Sequence, residues 1–373
     1  MNSYDVIVIG GGAMGSSAAM HAARRGASVL CLERFGFPNT MGSSHGDTRI
    51  IRKAYFEHPD YVPLLESAYA LWDELQEEVG EQLKIITGAL YAGPKGCEAV
   101  EGSRESARKY GIPIQNLTHE DLKEGFPGFS LPEDYDAIFE PSAGILRPER
   151  CILAAHKEAL KAGAEMRAGE QLISHKTTPS GVEVTTNKGT YSCGQIIFSA
   201  GAFTDKLLRD RNLPLRVTRQ PIMWSQPLQP DLYPLGKFPV FGIEDEQTNF
   251  IYGFPVMPDG PGLKAGNHSV VEPFDPETPT REFLPHDQAS IHAHLKRIAP
   301  QAAGEFLKGV LCLYTRTPDG HFIIDKLDER TSIACGFSGH GFKFATIMGE
   351  VLADLALEGK TKHPIGFLSH GRF

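Results

Sequence analysis

Three short segments of this 373-residue chain collect residue types that do chemistry. The first is Gly10-x-Gly12-x-x-Gly15, which follows the apolar run YDVIVI at 4–9, while the acid Glu33 closes a second run, SVLCL at 28–32. In such a turn the first glycine permits the tight bend, the second lets the backbone approach a pyrophosphate, and the third packs helix on strand. The N-terminus of the helix that follows offers N–H donors to the anion, and Glu33 is placed to accept from adenosine ribose hydroxyls. This predicts dinucleotide binding, but spacing alone does not separate FAD from NAD. The second segment, GSSHGDTRIIR at 42–52, holds His45, Asp47, Arg49 and Arg52 within eight positions. Arg49 and Arg52 are three apart, so in a helical turn they share a face and meet an anion with planar forks; surface ion pairs are the plainer alternative. The third, GFSGHGFKFA at 336–345, sets Gly336, Gly339 and Gly341 before a helix with Lys343 in its first turn. Exposed N–H groups and a positive helix end stabilise negative charge, such as that of a reduced flavin ring, although a glycine turn is often only a turn.

The elements that must position these segments follow from hydrophobic periodicity. Residues 13–25 carry Ala18, Ala19, Ala22 and Ala23 at helical spacing and stop at Gly26, completing a βαβ unit with the two strands. Leu64, Leu65, Ala68, Leu71, Trp72, Leu75 and Val79 predict an amphipathic helix over 61–79. Residues 84–93 read as a strand entering a different layer, so a second domain is expected to begin near 85, and 102–111 is too polar for a buried helix. A helix is expected over 151–164, then a hairpin and strand across 183–199 that return the chain to the first domain. A strand pair spans 238–255, GLKAG at 262–266 is again sheet-like, and strands at 321–325 and 332–337 precede a helix from about 342 to 357.

The length exceeds the ~250–300 residues at which single cores stop growing, so two lobes with a cleft are expected. Apolar residues at 41% and charged residues at 22% match an ordinary globular balance. The charge of −9 comes from 46 acidic against 37 basic residues without a Lys/Arg block, which argues against nucleic acid as a partner. No apolar run reaches the ~18 residues of a membrane span, and the first strand starts at Tyr4, so a cytoplasmic location and no membrane partner are expected. Six scattered cysteines without a CxxC pair suggest neither zinc, nor any other metal site, nor a disulfide framework.

Taken together, these segments resemble the monomeric sarcosine oxidase and N-methyltryptophan oxidase family of flavoprotein amine oxidases. The likeness runs through GGGAMG (10–15), GSSHGDTRIIRKAY (42–55), YVPLLESAYALWDEL (61–75), YDAIFEPSAGIL (135–146), GLKAGNH (262–268), CLYTRTPDGHFIID (312–325) and GFSGHGFKFATIMGEVLADLAL (336–357), in order and over nearly the whole chain. The resemblance implies an α/β fold: a glutathione-reductase-like, Rossmann-type FAD domain built from 1–84, 150–217 and 310–373. A substrate domain on a mixed antiparallel sheet, 85–149 and 218–309, would complete it. It also implies FAD held covalently by Cys312 as an 8α-S-cysteinyl link, where a buried structural thiol is the plain alternative. Arg52 and Lys343 then grip a substrate carboxylate, and His45 and Arg49 lie on the flavin face away from substrate. Lys264 sits by flavin N5 and assists reaction with O2, while His268, Tyr252 and Tyr314 line the substrate side.

The implied activity is oxidation of a small secondary amino acid to an imine with O2 reduced to H2O2, by a monomer. A dehydrogenase serving another electron carrier, or a flavin-binding protein without turnover, are the alternatives. Two departures stand out: Ser44-His45 replaces a frequent pair of histidines, and Gly242 stands where a bulkier pocket residue is common. The second is expected to enlarge the pocket and to favour a larger N-methyl amino acid, or a cyclic one such as pipecolate or proline, over sarcosine.

Overall fold

The run YDVIVI forms the strand Asn2–Ile9, buried along its last four residues, and GGGAMG delivers the chain directly into the helix Ala13–Arg24. The computed structural model describes residues 2–247 and 249–373. Asn2–Ile9 lies between two parallel neighbours, Val29–Glu33 and Thr190–Phe198. Glu165–Ala168 extends this sheet on one side, and Thr331–Cys335 pairs in parallel with the end of Thr190–Phe198. The antiparallel hairpin Leu172–Thr178/Gly181–Thr186 and the strand Ile323–Lys326 complete eight strands. Helices Ala13–Arg24, Val62–Val79, Pro148–Lys161 and Ala345–Leu357 share one large apolar core. This is the α/β dinucleotide-binding architecture expected from the sequence.

A second eight-stranded sheet runs in the order Phe306–Arg316, Arg216–Ser225, Leu263–Asn267, Phe250–Phe254, Val240–Glu244, Ala89–Pro94, Tyr135–Glu140, Gln115–Leu117. All its pairings are antiparallel except Val240–Glu244 with Ala89–Pro94. Because side chains alternate across a strand, its register sorts residues onto two faces. Leu90, Phe241, Ile243, Ile251, Leu263 and Ala265 lie on one face and pack with Ile291 and Leu295 of the helix Pro285–Ile298. The opposite face carries Tyr91, Gly242, Tyr252 and Gly266 in one row across four strands. Two positions along those strands on that same face stand Phe250, Phe254 and Lys264, and on Phe306–Arg316 the row continues to Val310, so Cys312 and Tyr314, two and four positions on, share the face.

Two expectations are corrected by the pairings. The break expected at 310 cuts through the strand Phe306–Arg316, which pairs along its length with Arg216–Ser225, so Cys312 belongs to the second sheet. The strand expected over 84–93 is two: Ala89–Pro94 in the second sheet, and Lys84–Ile86 in a separate three-stranded sheet with Gly144–Leu146 and Arg49–Ile51. Residues 102–110 fall in the helix Glu98–Tyr110, which is too polar to be buried all round and buries one face, made of Ala99, Val100, Ser103, Ser106 and Ala107. Small residues allow that face to pack closely, so few large apolar side chains betray it in the sequence.

Candidate active site

One cavity runs from the glycine turn to the second sheet, and its wall includes Gly10, Gly12, Glu33, Arg49, Arg52, Tyr252, His268, Cys312, Tyr314, Gly339, Gly341 and Lys343. At the dinucleotide end the conformation requires the glycines. Gly10 has φ of +96°, and a Cβ on Gly15 would stand 1.8 Å from the Gly10 carbonyl oxygen. A Cβ on Gly12 would have 4.0 Å to its nearest neighbour, Ser44 Oγ, leaving an open approach at the head of the helix. Glu33 accepts from the Gly11 and Phe35 amides, both at 2.8 Å, which fixes the carboxylate at the end of its strand. These residues fit the adenosine and pyrophosphate of FAD. Gly15→Ala is expected to cost about 2 kcal/mol or more by overpacking and to lower cofactor retention, measured as flavin per protein and as thermal midpoint.

The segment 42–52 is not a helical turn. Arg49 begins the strand Arg49–Ile51, so the two arginines do not share a helical face but point to separate partners. Arg49 donates from Nη2 to Ser43 O at 2.8 Å and lies 3.5 Å from Cys312 Sγ; its Nη1 donates to Thr48 O at 2.8 Å. His45 is buried, and its Nε2 has no hydrogen-bond partner among the described residues. The Cys312 thiol is 1% exposed, which would raise its pKa, yet His45 and the Arg49 charge outweigh burial and lower it to about 7.

Arg52 is 3% exposed, donates to Ala54 O at 2.9 Å, and forms an ion pair with Glu57. Its guanidinium carbon lies 4.1 Å from the Phe56 ring centre and 4.2 Å from that of Tyr55. Glu57 is half-buried, which opposes its charge, but Arg52 holds its pKa down to about 2. The loop carrying Arg52 is itself anchored by fully buried Glu140, which accepts from the Lys53 and Ala54 amides at 2.8 and 3.0 Å. Lys343 lies in the short 3-10 turn Phe342–Phe344 ahead of the last helix and donates to His340 O at 2.7 Å. Burial and the Arg52 charge lower its pKa to about 7.

Lys264 is 2% exposed and donates to Gly46 O and Thr48 O, both at 2.7 Å, and to Thr48 Oγ1 at 3.0 Å. It stands behind the wall formed by Phe254, whose ring centre is 4.4 Å from its Nζ. Burial and the Arg49 charge pull its pKa well below the usual lysine range. His268 Nδ1 is 3.3 Å from Tyr314 OH, and burial, with Arg316 nearby, lowers its pKa to about 3, so the ring is neutral. Burial pushes Tyr252 up to about 12.

Gly242 does not enlarge the cavity. A Cβ there would lie 2.3 Å from Phe250 Cζ and 2.7 Å from Tyr91 Cε1, so those rings already occupy the space. Sequence reasoning also passed over Tyr55, Glu57 and His340. Tyr55 OH lies 2.5 Å from His340 Nδ1, and His340 lines the cavity between Gly339 and Gly341. The signal for Glu57 was available, an acid five residues beyond Arg52, whereas nothing local joins Tyr55 to His340.

Comparison with known proteins agrees with this geometry. Residues 5–355 match the DAO family of FAD-dependent oxidoreductases. The chain is 39% identical to monomeric sarcosine oxidase of Streptomyces avermitilis, over 99% of this chain and 98% of the relative. It is 35% identical to N-methyl-L-tryptophan oxidase of Yersinia pestis, over 99% of both chains. Its fold is similar to the solved structure of NikD, an unusual amino acid oxidase essential for nikkomycin biosynthesis, with a TM-score of 0.88 at 28% identity, covering 99% of this chain and 98% of NikD. A turn built for a dinucleotide, opening into a cavity walled by cationic and aromatic side chains, thus stands on a chain that belongs to the DAO family of FAD-dependent oxidoreductases, in the group of monomeric sarcosine oxidase and N-methyltryptophan oxidase.

Proposed function

We propose that the protein oxidises a secondary amino acid, N-methylated or cyclic, to an imine that water then hydrolyses, and that O2 is the electron acceptor. The observation that carries this reading is the pair of buried cations, Arg52 and Lys343, on the same cavity as the dinucleotide turn. FAD held by the glycine turn and Glu33 would supply the redox chemistry, as acceptor of a hydride equivalent.

The residues of the chain bind, orient and exclude water. Arg52 offers a planar fork to the substrate carboxylate and Lys343 a second positive charge, which fixes the amino acid by one end. Substrate carboxylate must compete with Glu57 for Arg52, so binding includes breaking or sharing that ion pair. Neutral His268, with Tyr252 and Tyr314, surrounds the remainder with aromatic faces, while the Glu57 carboxylate on the same wall is paired with Arg52. That setting favours an unprotonated amine, the form able to lose a hydride, and demands no catalytic base. Cys312 is the attachment point for the flavin, supported by its lowered pKa and its place on the cavity wall. Arg49 holds the loop through Ser43 O and Thr48 O and, with His45, lies on the flavin side away from substrate, and Lys264 supplies fixed positive charge where oxygen is reduced. The name of the sarcosine oxidase relatives supports a monomer, and no described helix is long and apolar enough to cross a membrane. A single chain acting in the cytoplasm accords with six buried, unpaired cysteines.

The test is anaerobic mixing of the yellow holoenzyme with candidate amino acids, followed by air. Bleaching by secondary amino acids and recovery with stoichiometric H2O2 is the expected result. Bleaching without peroxide would transfer the protein to the dehydrogenases, and the absence of bleaching by any amine would overturn the reading.

A further inference from the structure

Gly242 and Gly266 stand in one row on the cavity-facing side of the second sheet, with Tyr91 and Tyr252 as their neighbours across the strands. Each glycine has a ring lying over it. Phe250 and Tyr91 cover Gly242, and the phenol of Tyr252 covers Gly266, where a Cβ would come within 2.7 Å of the hydroxyl oxygen. Phe250 stacks on Tyr91 with ring centres 6.3 Å apart and planes 16° from parallel. It meets Phe56 at 5.3 Å and the edge of His268 at 6.0 Å. Phe56 and Phe250 are only half-buried, and both line the cavity. Arg52 backs directly onto this group, its guanidinium carbon 4.1 Å from the Phe56 centre and 5.4 Å from that of Tyr91.

We infer that Phe250, seated by Gly242 and flanked by Phe56 and Tyr91, is a specificity-determining wall that selects amino acids bearing an apolar or aromatic side chain. The inference deepens, and rests on, the reading of the cavity as an amino acid site. A carboxylate held at Arg52 is fixed within reach of these rings, so a substituent on the same molecule is placed against them. Stacked and edge-on aromatic contacts then add to apolar burial, whereas a substrate lacking a side chain leaves the rings facing water. Gly242 acts as a positioning residue, since any Cβ there must displace the Phe250 or Tyr91 ring.

The experiment compares acetate with phenylacetate as ligands of the holoenzyme by calorimetry, and sarcosine with N-methyl-L-phenylalanine as substrates. Phenylacetate is expected to bind at least tenfold tighter than acetate, and kcat/KM for N-methyl-L-phenylalanine to exceed that for sarcosine by a similar factor. Phe250→Ala is expected to lower both ratios at least fivefold, acting on KM more than on kcat. Gly242→Ala disturbs the same wall from below and reads out the same ratios, so a poorly folding Phe250→Ala still leaves a decisive measurement; Phe250→Leu, which retains apolar bulk, should restore part of the preference. Equal affinity for the two carboxylates, or ratios unchanged in the variants, would overturn the inference. If the ligand ratio holds while no amine bleaches the flavin, the wall stands and the oxidation reading falls.

Discussion

Replacement of Cys312 by serine is expected to move all of the yellow colour from acid-precipitated protein into the supernatant, and to remove a flavin-sized mass from the peptide containing residue 312. Cys312 differs from the other buried thiols of the chain. Burial pushes the Cys31, Cys151 and Cys335 thiols far above their ordinary range and Cys97 up to about 11, and there it outweighs whatever opposes it. At Cys312 the same burial is overcome by His45 and by the Arg49 guanidinium 3.5 Å away, and the thiol falls to about 7. Near neutral pH roughly half of Cys312 is then thiolate, against a few per cent for a free cysteine. The sign fixes a pH dependence: acid-stable colour formed by mixing apoprotein with FAD should appear faster as pH rises through about 7, then level off. Arg49→Met removes the nearest cation, so the rise should shift to higher pH. Acid-stable colour retained by Cys312→Ser would place the attachment elsewhere.

Much of the fold was legible because its signals are local. The glycine turn, the βαβ unit with Glu33 and the terminal strand, turn and helix each lie within about thirty residues, and their periodicities do not conflict. The candidate site was legible where strand parity applies. Tyr252, Lys264, Cys312 and Tyr314 all lie on one face of the second sheet, although the register that aligns them is set by pairings between distant segments. Arg49 was misplaced because RII is too short to carry a periodicity, and its strand exists only through Gly144–Leu146, nearly a hundred residues away. The effect of Gly242 was reversed for a related reason. A missing side chain reads as added space, but the space is filled by Phe250 and Tyr91, which the sequence does not place there. The domain boundary at 310 failed because Phe306–Arg316 belongs to one sheet while the chain after it returns to the other.

Lys264→Met is expected to slow reoxidation of the reduced enzyme by O2 about a hundredfold, the usual scale for loss of one preorganised charge, while anaerobic bleaching by substrate falls far less. The two half-reactions differ in where negative charge develops. Oxygen gains an electron as it becomes superoxide, and a fixed cation beside that position lowers the barrier; substrate oxidation delivers a hydride equivalent and places no charge on oxygen. Lys264 suits this task because it is held before the reaction begins. Its three N–H bonds of the charged form are matched by three oxygen acceptors in the 46–48 loop, so little reorganisation remains. Methionine keeps the apolar stem against Trp224 and Phe254 but removes the charge, which separates packing from electrostatics. Because burial and Arg49 draw the lysine pKa well below its ordinary value, the oxygen step should weaken as pH rises, at a pH lower than an exposed lysine would give, and that decline should vanish in the methionine variant. Stopped-flow mixing of the reduced enzyme with O2 measures one step and anaerobic mixing with substrate the other. Equal slowing of both would show that Lys264 supports the architecture of the site rather than the chemistry of oxygen.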